Sequence, residues 1–117
     1  MGVITDDSTQ GPATPDRGVK YDGGKPRWSL LPMAQVEDVV RVLTYGAAKY
    51  LEDNWKRVPS PRARYHDAAM RHLSAWAQGE RDDPESGLPH LAHATCCLLF
   101  LAWFEATGRA DSPKERA

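Results

Sequence analysis

From Pro89 to Thr107 the chain reads PHLAHATCCLLFLAWFEAT, with leucine, alanine, cysteine and aromatic side chains on every side of a helical turn and no lysine or arginine. A helix without a polar face must be covered on all sides, so the rest of the chain has to be arranged as its cover. The apolar stretch from Ala94 to Phe104 is also too short for a membrane span, which needs about 20 residues. A buried helix in a small all-α protein is therefore expected.

Two other segments have helical periodicity. The first begins after Pro32, a residue suited to helix entry, and places Val36, Val40, Leu43, Ala47 and Tyr50 on one stripe with Asp38, Arg41 and Lys49 off it. The second runs from about Arg62 to Gly79, with Tyr65, Ala69, Leu73 and Trp76 facing inward. Between them lies a polar loop, Glu52 to Pro61. The connection to the apolar helix is Asp82-Asp83-Pro84-Glu85-Ser86-Gly87, in which Asp83 before Pro84 has the chemistry of a helix cap. No strand-like alternation and no internal repeat is present. The expected fold is a small bundle of three main helices with an N-terminal arm, Lys20 to Trp28, inside a single domain spanning 18–107. Residues 1–17 and 108–117 have the Pro-, Gly-, Ser- and charge-rich character of disordered tails. Two helices and an arm cover a fully apolar helix poorly, so a homo-oligomer completing a four-helix arrangement is expected.

Composition excludes several partners. A formal net charge of −1 gives no bulk attraction to nucleic acid or membrane, and no helix has a basic, base-reading face. Charges are instead clustered: Lys56, Arg57, Arg62 and Arg64 around one loop, Glu80, Asp82, Asp83 and Glu85 around the next. Cys96 and Cys97 are adjacent within the apolar run, which suits small buried hydrophobes in a reducing compartment and not a zinc site. No signal-peptide-like stretch opens the chain, so a cytoplasmic protein is expected.

The acidic loop is flanked by histidines. His90 and His93 leave one face of the apolar helix a turn apart, and His72 lies on the inward stripe of the preceding helix, near whose end stands Glu80. With Asp83 and Glu85 these residues can converge on the junction of the two helices as a divalent-metal cage of His72, Glu80, Asp83, Glu85, His90 and His93. Each has a plainer explanation: a lone core histidine is usually a hydrogen-bonded packing residue, and an acidic turn is usually capping chemistry. His66-Asp67, the kernel of an HD-type metal site, lies on another face and reads as exposed. Lys20, Lys25, Lys49 and Arg71 are placed to hold phosphates beside such a metal. Asn54 and Trp55 are candidates for an edge contact and a stacking contact with a nucleobase, although ordinary packing is the commoner explanation of a residue like Trp55.

Three segments in order, KYDGGKPRW, YGAAKYLEDNW and RHLSAWAQGERDDPESGLPHLAHA, resemble a phage-encoded family of dATP/dGTP diphosphohydrolases, similar in turn to the MazG-like all-α nucleotide pyrophosphohydrolases. The resemblance covers residues 19–106. It implies a helical, oligomeric enzyme that uses a divalent metal, Mg²⁺ or Mn²⁺, to cleave a deoxynucleoside triphosphate to the monophosphate and pyrophosphate in phage nucleotide-pool metabolism. Glu80 is then the candidate to activate water. The MazG-like carboxylate patterns E-E-x-x-E and E-x-x-D do not occur here; His90-Leu91-Ala92-His93 stands where the second would align. Histidine ligands favour Mn²⁺ over Mg²⁺. The alternative is a non-catalytic helical module that binds a nucleotide or a protein.

Overall fold

A computed structural model describes residues 17–110. These fall into two compact units divided between Leu31 and Pro32. In the first, Asp22 and Lys25 close a turn through a backbone hydrogen bond of 3.1 Å, and Trp28–Leu30 form a short 3-10 helix. Most of the residues expected to be tails, 1–16 and 111–117, lie outside the described residues.

The second unit contains α1 (Met33–Lys49), α2 (Pro61–Ala77) and α3 (His90–Ala106), with a 3-10 turn at Asn54–Arg57 between the first two. Among the described residues there is no strand, only an isolated bridge between Asp82 and Pro89. The class is all-α, as the periodicities predict. No described helix is long and apolar enough to cross a membrane.

Helix ends follow local chemistry. Pro61 occupies the first turn of α2, where a missing N–H is not felt. At the other end Gly79, at φ 102°, donates its N–H to the Trp76 carbonyl at 3.0 Å, and Glu80 donates to Ala75 at 3.0 Å. This left-handed Schellman closure turns the chain sharply and sets where Glu80 leaves α2. α3 ends the same way: Gly108, at φ 68°, donates to Glu105 at 3.2 Å and Arg109 to Phe104 at 2.9 Å. The chain stays packed beyond 107, with the Arg109 guanidinium 5.0 Å from the Trp103 ring centre. At the start of α3 the cap is Pro89, without a side-chain hydrogen bond. Asp83 caps something smaller, the turn ending at Ser86, whose N–H and hydroxyl it accepts at 3.3 and 3.1 Å.

α3 packs against both other helices. Ala92, Ala94, Cys96 and Cys97 are buried, and their small side chains let neighbouring helices come close. Val42 of α1 forms a cluster with Ala92 and Cys96, against which Val39, Leu88 and Phe100 pack. The inward stripe of α1 is thus Val39 and Val42, while Val40, Leu43 and Tyr50 face outward. Helix α1 has two adjacent apolar stripes, and periodicity alone does not choose between them. Leu73 and Trp76 of α2 are likewise exposed, whereas Ala69 is buried. Below this layer Trp55 stacks on Phe100 with centroids 4.3 Å apart and meets Trp103 edge-on at 5.0 Å, while Tyr65 meets Phe100 at 5.1 Å. Burial there pushes the Tyr65 hydroxyl up to about 12.

Candidate active site

The polar side chains of the core gather at the end opposite the aromatic cluster, where α2 turns into α3. His90, in the first turn of α3, is only 4% exposed. Its Nδ1 lies 2.9 Å from His72 Nδ1 and its Nε2 lies 2.6 Å from Glu80 Oε1. A carboxylate only accepts, so the Nε2–H of His90 is donated to Glu80. In a neutral ring the Nδ1 lone pair is then left for the N–H of His72. The network fixes a tautomer, and a carboxylate oriented on the far nitrogen of a histidine is the usual outer partner of a metal-binding imidazole.

His93 stacks on His72 with ring centroids 4.5 Å apart. Its Nε2 is 2.7 Å from the Ser86 hydroxyl oxygen, which also accepts the Leu88 N–H at 3.2 Å and donates to Asp83 at 3.1 Å. With the hydroxyl proton on Asp83, His93 must be the donor, and its Nδ1 keeps the lone pair. Burial, reinforced by the neighbouring imidazoles, holds the basicity of His72 below the ordinary histidine value. Burial does the same for His93 despite the opposing pull of Asp83. Asp83 is pushed up by burial, but the Ser86 hydrogen bonds prevail and its carboxyl stays below the usual range. At neutral pH His72 and His93 are therefore neutral imidazoles, with the ionised Asp83 beside them.

A second group ties the acidic turn to α1. Glu85 pairs with Lys49 and accepts the Tyr45 hydroxyl at 2.6 Å. The Lys49 hydrogen bond, then that of Tyr45, lowers the Glu85 carboxyl, and the same contact raises Lys49.

Of the residues singled out in the sequence, the fold joins His72, His90 and Glu80 directly, and His93 to Asp83 through Ser86. It carries Glu85 to Lys49 and Tyr45. Trp55 packs in the aromatic cluster with Lys56 Nζ 5.4 Å from its ring centre, and Asn54 begins the same 3-10 turn. Arg71 is exposed on α2 next to His72. Lys20 and Lys25 belong to the N-terminal unit. His66 is exposed, 3.7 Å from Asp67. Tyr45 and Ser86 escape sequence reasoning: the Asp-x-x-Ser spacing of 83–86 is a detectable turn signal, but nothing local marks Tyr45.

Among the described residues no three His, Cys, Asp or Glu side chains are arranged around one ion position. Two nitrogens are. The 2.9 Å between His72 and His90 Nδ1 atoms suits a hydrogen bond, and it also suits neighbouring ligands of one ion bonded at about 2.1 Å. Manganese and magnesium sites commonly take few protein ligands and complete their shell with phosphate oxygens and water. Two imidazole nitrogens suit a softer divalent ion better than Mg²⁺.

No solved structure matches the chain. A curated dATP/dGTP diphosphohydrolase from Salmonella phage PMBT28 is 38% identical over 86 residues, which are 74% of this chain and 29% of that relative. The chain thus spans less than a third of the length of the relative it matches. The family model described as dATP/dGTP diphosphohydrolase, N-terminal, matches residues 15–113 and so takes in both described units. On that match the chain belongs to the dATP/dGTP diphosphohydrolase N-terminal family.

Proposed function

We propose that this protein hydrolyses purine deoxynucleoside triphosphates, dATP or dGTP, to the monophosphate and pyrophosphate with a divalent metal, in the host cytoplasm during phage nucleotide-pool metabolism. The observation that carries this is the buried His90, oriented by Glu80 on one nitrogen and facing His72 on the other. Family membership adds the substrate class, since the matched relative is named for dATP and dGTP.

His72 and His90 would hold the ion through Nδ1, once His72 moves its proton to Nε2. The ion, when bound, supplies charge to neutralise and orient the phosphate oxygens. Glu80 sits on the far nitrogen of the His90 ring with half its side chain exposed, at 53%, and is the carboxylate proposed as the base for water. Water attacks the α phosphorus, its proton passes to Glu80, and the bond from the α phosphorus to the α–β bridging oxygen breaks, so pyrophosphate leaves. Arg71, exposed on α2 next to His72, is the cation of this unit proposed to meet the phosphates. Asp83 and Ser86 hold His93 beside His72, and the Lys49–Glu85–Tyr45 group steadies the acidic turn.

Copies of the chain are proposed to associate through the exposed apolar face of α3, where Leu98 and Leu99 remain 58% and 52% exposed.

The test is pyrophosphate release from a panel of deoxynucleoside triphosphates with Mn²⁺ and with chelator. Metal-dependent release from dATP or dGTP, lost in His90→Gln with the fold intact, is expected. Binding without release would favour the non-catalytic module.

A further inference from the structure

A cleft of about 340 Å³ opens between the start of α1, the end of α2 and the first turns of α3, beside the histidine cluster but not part of it. Its walls carry Trp76, Gln35, Asp38, Arg81 and Thr95. The indole is its unusual feature. Trp55 and Trp103 are engaged by other rings, whereas Trp76 is 47% exposed and, among the described residues, meets no other ring and no cation. A large apolar ring left open on the wall of a cleft has a free face on which another flat ring can lie.

The polar groups around it are of complementary kinds and weakly engaged. Gln35 offers an amide donor and acceptor, and its side chain has no hydrogen bond among the described residues. Asp38 is only 3.7 Å from Arg41, at the limit of an ion pair, so its carboxylate can accept from a ligand. Arg81 is tied only to the exposed Asp82, at 2.7 Å. An aromatic face, an amide and a carboxylate acceptor together match a heteroaromatic ring whose edge bears N–H donors. Guanine presents two such donors side by side, adenine one exocyclic amine, and pyrimidines leave part of the volume empty.

We infer that this cleft is a purine-binding pocket, with Trp76 stacking on the base and Gln35 and Asp38 reading its edge. The inference rests on the hydrolase reading for the nucleotide as ligand. Connectivity supports it independently: Arg81 follows Glu80 in sequence, and its carbonyl accepts the N–H of His90 at 2.9 Å. The Arg81 wall of the cleft is therefore one residue along the chain from the proposed water-activating carboxylate.

The experiment is equilibrium binding of dGMP, dAMP, dCMP and inorganic tripolyphosphate to the full chain, by calorimetry and tryptophan fluorescence. These ligands need no turnover. Trp76→Ala is expected to weaken dGMP about tenfold or more while tripolyphosphate binds as before. Trp76→Phe should restore most of the loss, and Asp38→Asn should weaken dGMP more than dAMP. Asp38→Asn is nearly isosteric, so this variant decides the matter if Trp76→Ala fails to fold. Absence of dGMP binding by the wild type, or wild-type dGMP affinity in both Trp76→Ala and Asp38→Asn, would overturn the pocket. Cleavage of dGTP with an unchanged KM in those variants would remove the pocket and keep the hydrolase. Trp76-dependent dGMP binding without any cleavage would do the reverse.

Discussion

Replacing His90 by glutamine tests whether the histidine network is a built feature of the fold. The substitution removes the hydrogen bond to His72, a buried neutral pair for which about 1 kcal/mol is reasonable. It also removes the bond to Glu80. That carboxylate is half exposed and recovers water, so the contribution is discounted to below about 1 kcal/mol. The expected loss is about 1–2 kcal/mol. At about 4–8 °C per kcal/mol for a unit of this size, thermal melting followed by circular dichroism at pH 7.5 should fall by about 4–16 °C. His72→Gln breaks the same contact from the other side. The double variant should therefore cost less than the sum of the singles, by about 0.5–1.5 kcal/mol. Additivity within about 0.3 kcal/mol would refute a bonded pair, and a His90→Gln melt matching the wild type would refute the whole network.

Phe104 is buried among Trp55, Tyr65 and Trp103, so Phe104→Ala should destabilise by about 3–5 kcal/mol in chemical denaturation and leave the protein largely unfolded at 37 °C. Burial and neighbouring imidazoles depress the basicity of His72 and His93 in the folded state, so the unfolded chain takes up those protons first. Stability held above the ordinary histidine value of 6.5 should decline as pH falls through it toward the folded values, and melting temperatures between pH 7.5 and 5 should show this. A flat profile there would contradict the assignment. Leu98→Glu combined with Leu99→Lys should leave helicity unchanged and shift light-scattering mass toward the monomer; an unchanged mass would exclude that face as the interface.

The three helices were legible because their ends carry chemistry: Pro32, Pro61, Gly79 and Gly108 stand where helices begin or close. Which side faces inward was less legible. Val40 and Val42 are equally apolar, and only the position of α3 decides that Val42 is buried. At the site, one-turn spacing placed His90 and His93 together, and the stripe of α2 brought His72 to them. The direction of Glu85 was not readable, because Lys49 and Tyr45 lie far from it in sequence and one ion pair is enough to turn a carboxylate. Trp55 and Trp76 show the same limit. The sequence marks Trp55 as a possible stacking ring and Trp76 as inward-facing, and only tertiary packing puts the first in the aromatic core and leaves the second on the wall of a cleft.

The most direct test of the account is the position of bond cleavage, read by mass spectrometry and ³¹P spectroscopy after turnover of dGTP in ¹⁸O-labelled water with Mn²⁺. Attack at the α phosphorus predicts one labelled oxygen in dGMP, unlabelled pyrophosphate in equal amount, and loss of both products in His90→Gln. Label in pyrophosphate, release of orthophosphate or tripolyphosphate, or undiminished turnover in His90→Gln would contradict it.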